Sequence, residues 1–97
     1  MAEKGGIQVL IKVFGGIRDK APSGPLQVTI PSPGRFYDVL RALERRVPVL
    51  HAALVAGLES GYVSALLNGR NVLFLGGDET PMADGDTLAF LPPVGGG

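Results

Sequence analysis

The first pattern along the chain is an alternation. In Ile7-Gln8-Val9-Leu10-Ile11-Lys12-Val13-Phe14, Ile7, Val9, Ile11 and Val13 share one face and Gln8, Leu10, Lys12 and Phe14 the other. A period of two is that of a strand. Gly15-Gly16 ends it, and the polar stretch from Ile17 to Gly24 reads as a loop. Pro25 to Ile30 alternates again, with Leu26, Val28 and Ile30 inward and Gln27 and Thr29 outward. The period then lengthens. Phe36, Val39, Leu40, Leu43 and Val47 form the single apolar stripe of an amphipathic helix, with Arg35, Asp38, Arg41, Glu44 and Arg45 opposite. Ser32 is the expected N-cap, Pro33 the first helical residue, and Pro48 stops the helix at about Val47.

Val49 to Gly61 is apolar, and a short helix is expected around Leu50 to Ala56. Tyr62 to Asn68 reads as a third strand. Asn68-Gly69 is a tight-turn signal, because both residues tolerate positive φ. A short strand over Asn71 to Leu75, a loop over Gly76 to Pro81, a turn at Asp84-Gly85 and a last strand over Thr87 to Leu91 follow. The order is two strands, a helix and three strands. It predicts an α+β fold, a mixed sheet of about five strands with one main helix packed on one face. With the first and last strands side by side at the centre, this is the β-grasp arrangement. Residues 1–6 are expected to be a flexible lead, 7–93 a single domain, and 94–97 a flexible glycine tail.

Composition narrows the function. The chain has 97 residues, enough for one domain. Fifteen glycines and eight prolines would suit a disordered chain, but 45% hydrophobic and 19% charged residues would not. With no cysteine there is no thiol nucleophile, Cys-based zinc site or disulfide framework. One histidine, His51, cannot build a multi-histidine metal centre, so no metal site is expected. Nine basic residues balance nine acidic ones, which argues against direct nucleic-acid binding. No apolar run is long enough to span a membrane, and Met1 to Gly6 lacks the apolar region of a secretory signal. A cytoplasmic location is the expectation. Asp78-Glu79 and Asp84…Asp86 resemble paired carboxylates, but they sit in turns, where local backbone bonds are their usual role.

Two features remain. Pro92-Pro93 directs the chain off the sheet, and Gly95-Gly96-Gly97 has no side chains, so its α-carboxylate can be threaded into a narrow pocket and reacted. A frayed terminus is the alternative. By alternation, Phe14, Leu66 and Leu91 point away from the helix and would form one apolar patch at the root of the tail. Such a patch marks a partner surface, unless these are scattered surface residues.

Phe14-Gly15-Gly16-Ile17-Arg18, the turn Leu67-Asn68-Gly69-Arg70 and the block Asp84-Gly85-Asp86-Thr87-Leu88-Ala89-Phe90-Leu91-Pro92-Pro93-Val94-Gly95-Gly96-Gly97 resemble the ubiquitin-like sulfur carriers of the MoaD/ThiS type. The nearest likeness is to the small subunit of molybdopterin synthase. Gly96 and Gly97 match the terminal glycine pair of that family, and Gly95 takes the variable position before it. The resemblance implies that an E1-like adenylating enzyme activates the Gly97 carboxylate with ATP and magnesium. This chain would itself hold no cofactor. Sulfur from a persulfide donor would then leave a thiocarboxylate on Gly97. The large subunit of molybdopterin synthase would receive this sulfur carrier protein in molybdenum cofactor biosynthesis. Gly95 to Gly97 would enter the partner's channel, with Pro92, Pro93 and Val94 leading to them, and Phe14, Leu66 and Leu91 would dock. Other sulfur acceptors remain open, namely a thiamine precursor or a tRNA uridine. So do conjugation to lysine amines and a β-grasp binding module with an inert tail.

Overall fold

The computed structural model of the protein describes residues 6–92. Residues 1–5 of the expected lead, Pro93 and the glycine tail over 94–97 lie outside the described residues. Seven strands and two α-helices follow in order: β1 (Gly6–Val13), β2 (Leu26–Pro31), β3 (Gly34–Arg35), α1 (Phe36–Arg46), α2 (Pro48–Ser60), β4 (Ser64–Leu67), β5 (Arg70–Asn71), β6 (Pro81–Met82) and β7 (Thr87–Leu91). The main sheet has the order β2-β1-β7-β4-β5. β1 and β7 pair in parallel, with Ile11 opposite Leu88 and Val13 opposite Phe90. The other neighbours in this sheet are antiparallel. The expected mixed five-stranded sheet, with the first and last strands adjacent at its centre, is therefore the fold observed.

The core follows from the alternation. Ile7, Val9 and Ile11 of β1, Leu26, Val28 and Ile30 of β2, Ala65 and Leu67 of β4, and Leu88 and Phe90 of β7 are buried on one sheet face. The α1 stripe of Phe36, Val39 and Leu43 covers that face with Leu50 and Leu54 of α2, while Leu40 and Val47 are half-buried. The Phe36 and Phe90 rings lie 6.4 Å apart between centroids. Leu43 is fully buried. Leu43→Ala is expected to lower the unfolding free energy by about 2 to 5 kcal/mol, read as a lower denaturant midpoint.

Four local expectations are corrected. The helix begins at Phe36, and Ser32 is not its N-cap. Gly34 and Arg35 are held extended by pairing with Met82 and Pro81 of β6. Arg35 is the cap residue, and its N–H donates to Asp38 Oδ2 at 2.9 Å. Gly34 is required there, since a Cβ would lie 2.9 Å from the Pro31 carbonyl oxygen. The second helix is longer than the expected Leu50 to Ala56. Pro48 starts it at N1, and Gly61, left-handed at φ 82°, ends it. The expected strand over Asn71 to Leu75 stops at Asn71. Asn71 Oδ1 accepts from the Leu73 N–H at 2.9 Å, which turns Val72–Phe74 into a 3-10 helix. Gly15–Lys20, read as a strand end and loop, is also a 3-10 helix, entered through the positive φ of 79° at Gly15.

Smaller differences concern ends. β1 begins at Gly6, the last residue of the expected lead. β4 is shorter than Tyr62 to Asn68, because the Val63 N–H donates to the Gly57 carbonyl of α2 instead of joining the sheet. The Asn68-Gly69 turn is as expected, with φ of 49° and 90°. These values fit the primed turn that matches strand twist.

Candidate functional site

β7 carries the chain to its C-terminal end from the middle of the sheet. It is fixed on both flanks, by β1 in parallel and by β4 in antiparallel pairing. Its inward residues Leu88 and Phe90 anchor it in the core, so Ala89 and Leu91 face outward. On that outer face Lys12, Ala89 and Leu66 form one row across β1, β7 and β4. Leu91 lies one step further along, opposite Ser64. Leu66 and Leu91 are therefore diagonal cross-strand neighbours. Phe14 follows β1 at the same level as Leu91. Its N–H donates to the Phe90 carbonyl at 3.0 Å, and it is 46% exposed. The structure thus brings Phe14, Leu66 and Leu91 to one face, as the alternation predicts. Leu66 and Leu91 are half-buried, so the patch is a shallow apolar surface with Ala89 and Ser64 as its small residues.

The exit of the chain has its own geometry. Pro92 is half-buried. It packs against Gly15, where an added Cβ would lie 2.9 Å from Pro92 Cγ. Gly15 also has φ 79°, a conformation that costs other residues about 1–2 kcal/mol. The 3-10 turn after β1 and the root of the tail therefore touch through a residue that only glycine suits. Gly15→Ala is expected to lower stability by about 1–2 kcal/mol and also to displace Pro92. Gly16→Ala, which meets nothing within 4 Å, should stay within about 0.5 kcal/mol of the parent. Denaturant unfolding of both variants measures the contrast. Pro93, Val94, Gly95, Gly96 and Gly97 lie outside the described residues.

Tyr62 was not among the expected site residues. It precedes β4 and is 63% exposed. It sits in a bend before Val63, whose N–H donates to the Gly57 carbonyl, so β4 does not extend to it.

Of the turn carboxylates, Asp84, Asp86 and Glu79 have structural partners. Asp84 Oδ1 accepts from the Gln8 N–H at 2.8 Å. Asp86 accepts from the Ala83 N–H at 2.7 Å and from Asn68 Nδ2 at 3.0 Å. Glu79 is paired with Arg35 at 3.0 Å. That hydrogen bond, with the Glu79 charge and the Asp38 charge behind it, raises the Arg35 pKa above its already high ordinary value. Arg41 is raised similarly, first by its hydrogen bond to the Tyr37 hydroxyl. Both stay cationic at any working pH. Among the described residues, no group of three or more His, Cys, Asp and Glu side chains could hold a metal ion. His51 is half-buried on α2. No helix among the described residues is long and apolar enough to cross a membrane.

The sequence profile of the ThiS family matches residues 11–97 of this chain, from within β1 to the last glycine. The chain belongs to the ThiS family. This is the family of ubiquitin-like sulfur carriers and modifiers, and the parallel β1–β7 centre is its β-grasp sheet. Small archaeal modifier protein 3 of Haloferax volcanii is 30% identical over 92 residues, covering 94% of this chain and 100% of that relative. The solution structure of small archaeal modifier protein 1 from Methanosarcina acetivorans superposes with a TM-score of 0.72 at 31% identity, over 95% of this chain and 98% of that one. A putative molybdopterin converting factor subunit 1 from Pyrococcus furiosus shares the fold, with a TM-score of 0.68 at 22% identity over 91% of this chain and 99% of that one.

Proposed function

We propose that this ThiS-family chain is a sulfur carrier that works through the carboxylate of Gly97. The observation that carries the reading is the placement of β7: it ends at Leu91 in the sheet centre, with Pro92 set against Gly15 and an apolar outward face beside it, and the glycines follow in sequence. That is the form of a substrate presented to another protein. Reactive side chains are not needed at the end itself, because the partner brings the acid, base and nucleophile.

The chemistry proceeds in three steps. A carboxylate is a poor electrophile, so it first attacks the α-phosphorus of ATP on an E1-like enzyme, with magnesium held there, and displaces pyrophosphate. The resulting acyl adenylate has a good leaving group. The terminal sulfur of a persulfide donor attacks the acyl carbon and expels AMP, giving an acyl disulfide. A thiol then cleaves the S–S bond, leaving the thiocarboxylate on Gly97 and a disulfide on the donor side. This chain contributes a backbone thin enough for a narrow channel and a docking face of Phe14, Leu66, Leu91 and Pro92. Pro93, Val94, Gly95 and Gly96 would span from that face to the reacting carbon.

The proposed acceptor is the molybdopterin precursor bound to the large subunit of molybdopterin synthase, on the strength of the Asp84 to Gly97 block. Reconstitution tests this choice. Thiocarboxylated protein mixed with the large subunit and the precursor should yield the dithiolene product. Product formed only with a thiamine precursor or a tRNA uridine would overturn the assignment of acceptor and keep the carrier chemistry. A second reading is favoured by the relative named as a modifier. In that reading the same adenylate is attacked by a lysine amine, forming an isopeptide bond. Peptides in which Gly97 is joined to a lysine Nζ would establish it.

A further inference from the structure

A second surface lies on the helix side of the sheet. A groove of about 400 Å³ is bounded by α1, α2, the start of β4 and the 3-10 turn after β5. Its lining includes Leu40, Val55, Leu58, Val63 and Leu73. Leu40, Val55 and Leu58 are only half-buried, so their remaining apolar surface faces the groove mouth. Leu73 is 75% exposed and its neighbour Phe74 85% exposed. Two adjacent large apolar residues so open to water are costly to keep unless something covers them. Their exposure follows from the Asn71 cap, which diverts the chain out of the sheet at that point.

The charges at the groove have one sign. Among the described residues, Glu59 and Asp78 are its only charged lining residues, and both are exposed. Among the described residues, neither is in an ion pair. The nearest cation in sequence to the Phe36 end, Arg35, is committed to Glu79 at 3.0 Å and to Asp38 at 3.6 Å. An apolar floor with unpaired carboxylates at its edge complements an apolar side chain next to a cation.

We propose that this groove is a docking site for a peptide segment of a partner protein, in which a Leu, Ile or Phe side chain enters the groove beside a Lys or Arg. The volume is within the range of ligand-holding clefts, and a segment of this kind buries one anchor and pairs its charge at the rim. Phe14, Leu66 and Leu91 do not line the groove; Ser64, which pairs with Leu91, is where the two surfaces meet. The inference does not rest on the chemistry of Gly97.

The test uses the full chain and a displayed library of random short peptides. The expected result is a selected set with Leu, Ile or Phe adjacent to Lys or Arg. One such peptide, titrated into isotope-labelled protein, should shift the amide signals of Leu58, Val63 and Leu73 and leave those of Phe14 and Leu91 in place. Glu59→Lys with Asp78→Lys should weaken it about tenfold or more, and Leu73→Asp should do so as well. All three positions are exposed, so the variants should keep the unfolding midpoint of the parent. Thiocarboxylate formation on Gly97 should continue at the parent rate in the charge-reversed chain, which separates this inference from the proposed function. The proposal is overturned if no peptide is selected, or if the selected peptides are acidic or shift the Phe14 and Leu91 signals. Equal binding by the charge-reversed chain would also overturn it. So would groove signals that move with protein concentration alone, since a second copy would then be the occupant.

Discussion

Removing Gly97 should abolish thiocarboxylate formation and leave the fold intact. The shortened chain still ends in a glycine carboxylate, now on Gly96, so the functional group survives. Its position does not. One residue of extended chain spans about 3.3–3.6 Å, and a misplacement of about 1 Å already costs roughly a hundredfold in rate. A carboxylate held back by a whole residue cannot meet the α-phosphorus of ATP while the Phe14, Leu66 and Leu91 face remains docked. Stability should be unaffected, because Gly97 has no side chain to bury and, among the described residues, the core cluster ends at Phe90. Intact mass after incubation with the activating enzyme reads the first effect. A denaturant midpoint within about 0.5 kcal/mol of the parent reads the second. Full sulfur incorporation by the shortened chain would mean that the end is not read by length.

The second large effect is expected at Leu91. Leu91→Asp places a carboxylate in the shallow apolar patch, where docking would strip its water. Losses of about 2 to 4 kcal/mol are typical where a central apolar contact is spoiled. That corresponds to roughly thirtyfold to several hundredfold in kcat/KM of adenylation, read by pyrophosphate exchange. The loss should be carried mainly by KM, because the Gly97 carboxylate is unchanged. Arg45→Glu provides the comparison. It is exposed on α1, on the opposite side of the sheet, and should keep the parent kcat/KM. Leu91 is half-buried at the sheet centre, so its variant should also lose about 1 kcal/mol of stability. Equal kcat/KM for Leu91→Asp and Arg45→Glu would remove the docking role from this face.

The sheet was legible because its strands obey their period strictly. Ile7, Val9 and Ile11 alternate with polar or outward residues, and Leu88 and Phe90 do the same in β7. The strongly apolar character of both strands placed them together at the centre. It also fixed which face Phe14, Leu66 and Leu91 occupy. The Asn68-Gly69 turn was readable because its geometry needs residues that accept positive φ.

What was missed has a common physical origin: a side chain or a distant segment overrode the local pattern. Asn71-Val72-Leu73-Phe74-Leu75 reads as strand from its apolar residues. A single acceptance from the Leu73 N–H by the Asn71 side chain bends it into a turn, and that bond has no periodic signature. Ser32-Pro33 carries the usual start signal of a helix, but Gly34 and Arg35 are claimed by β6, which arrives almost fifty residues later. The second helix is apolar on most sides, with Val49 exposed and Leu50 buried, so no stripe defined its length. Its bounding Pro48 and Gly61 did carry that information. At the site, the sequence marks Gly15 as a strand stop and as part of the family-like block, not as a packing contact. Its contact with Pro92 depends on the parallel pairing of β1 with β7 and is visible only in three dimensions.

The central claim is that the C-terminal carboxylate of Gly97 is the reactive group and that sulfur is what it carries. The most direct measurement is the intact mass of the full chain after incubation with an E1-like adenylating enzyme, ATP, magnesium, a persulfide donor and a thiol. A mass increase of one oxygen-for-sulfur exchange is expected, located by fragmentation at Gly97, dependent on ATP and absent from the chain shortened by that residue. An unchanged mass in the presence of an enzyme that thiocarboxylates another ThiS-family carrier under the same conditions would contradict it.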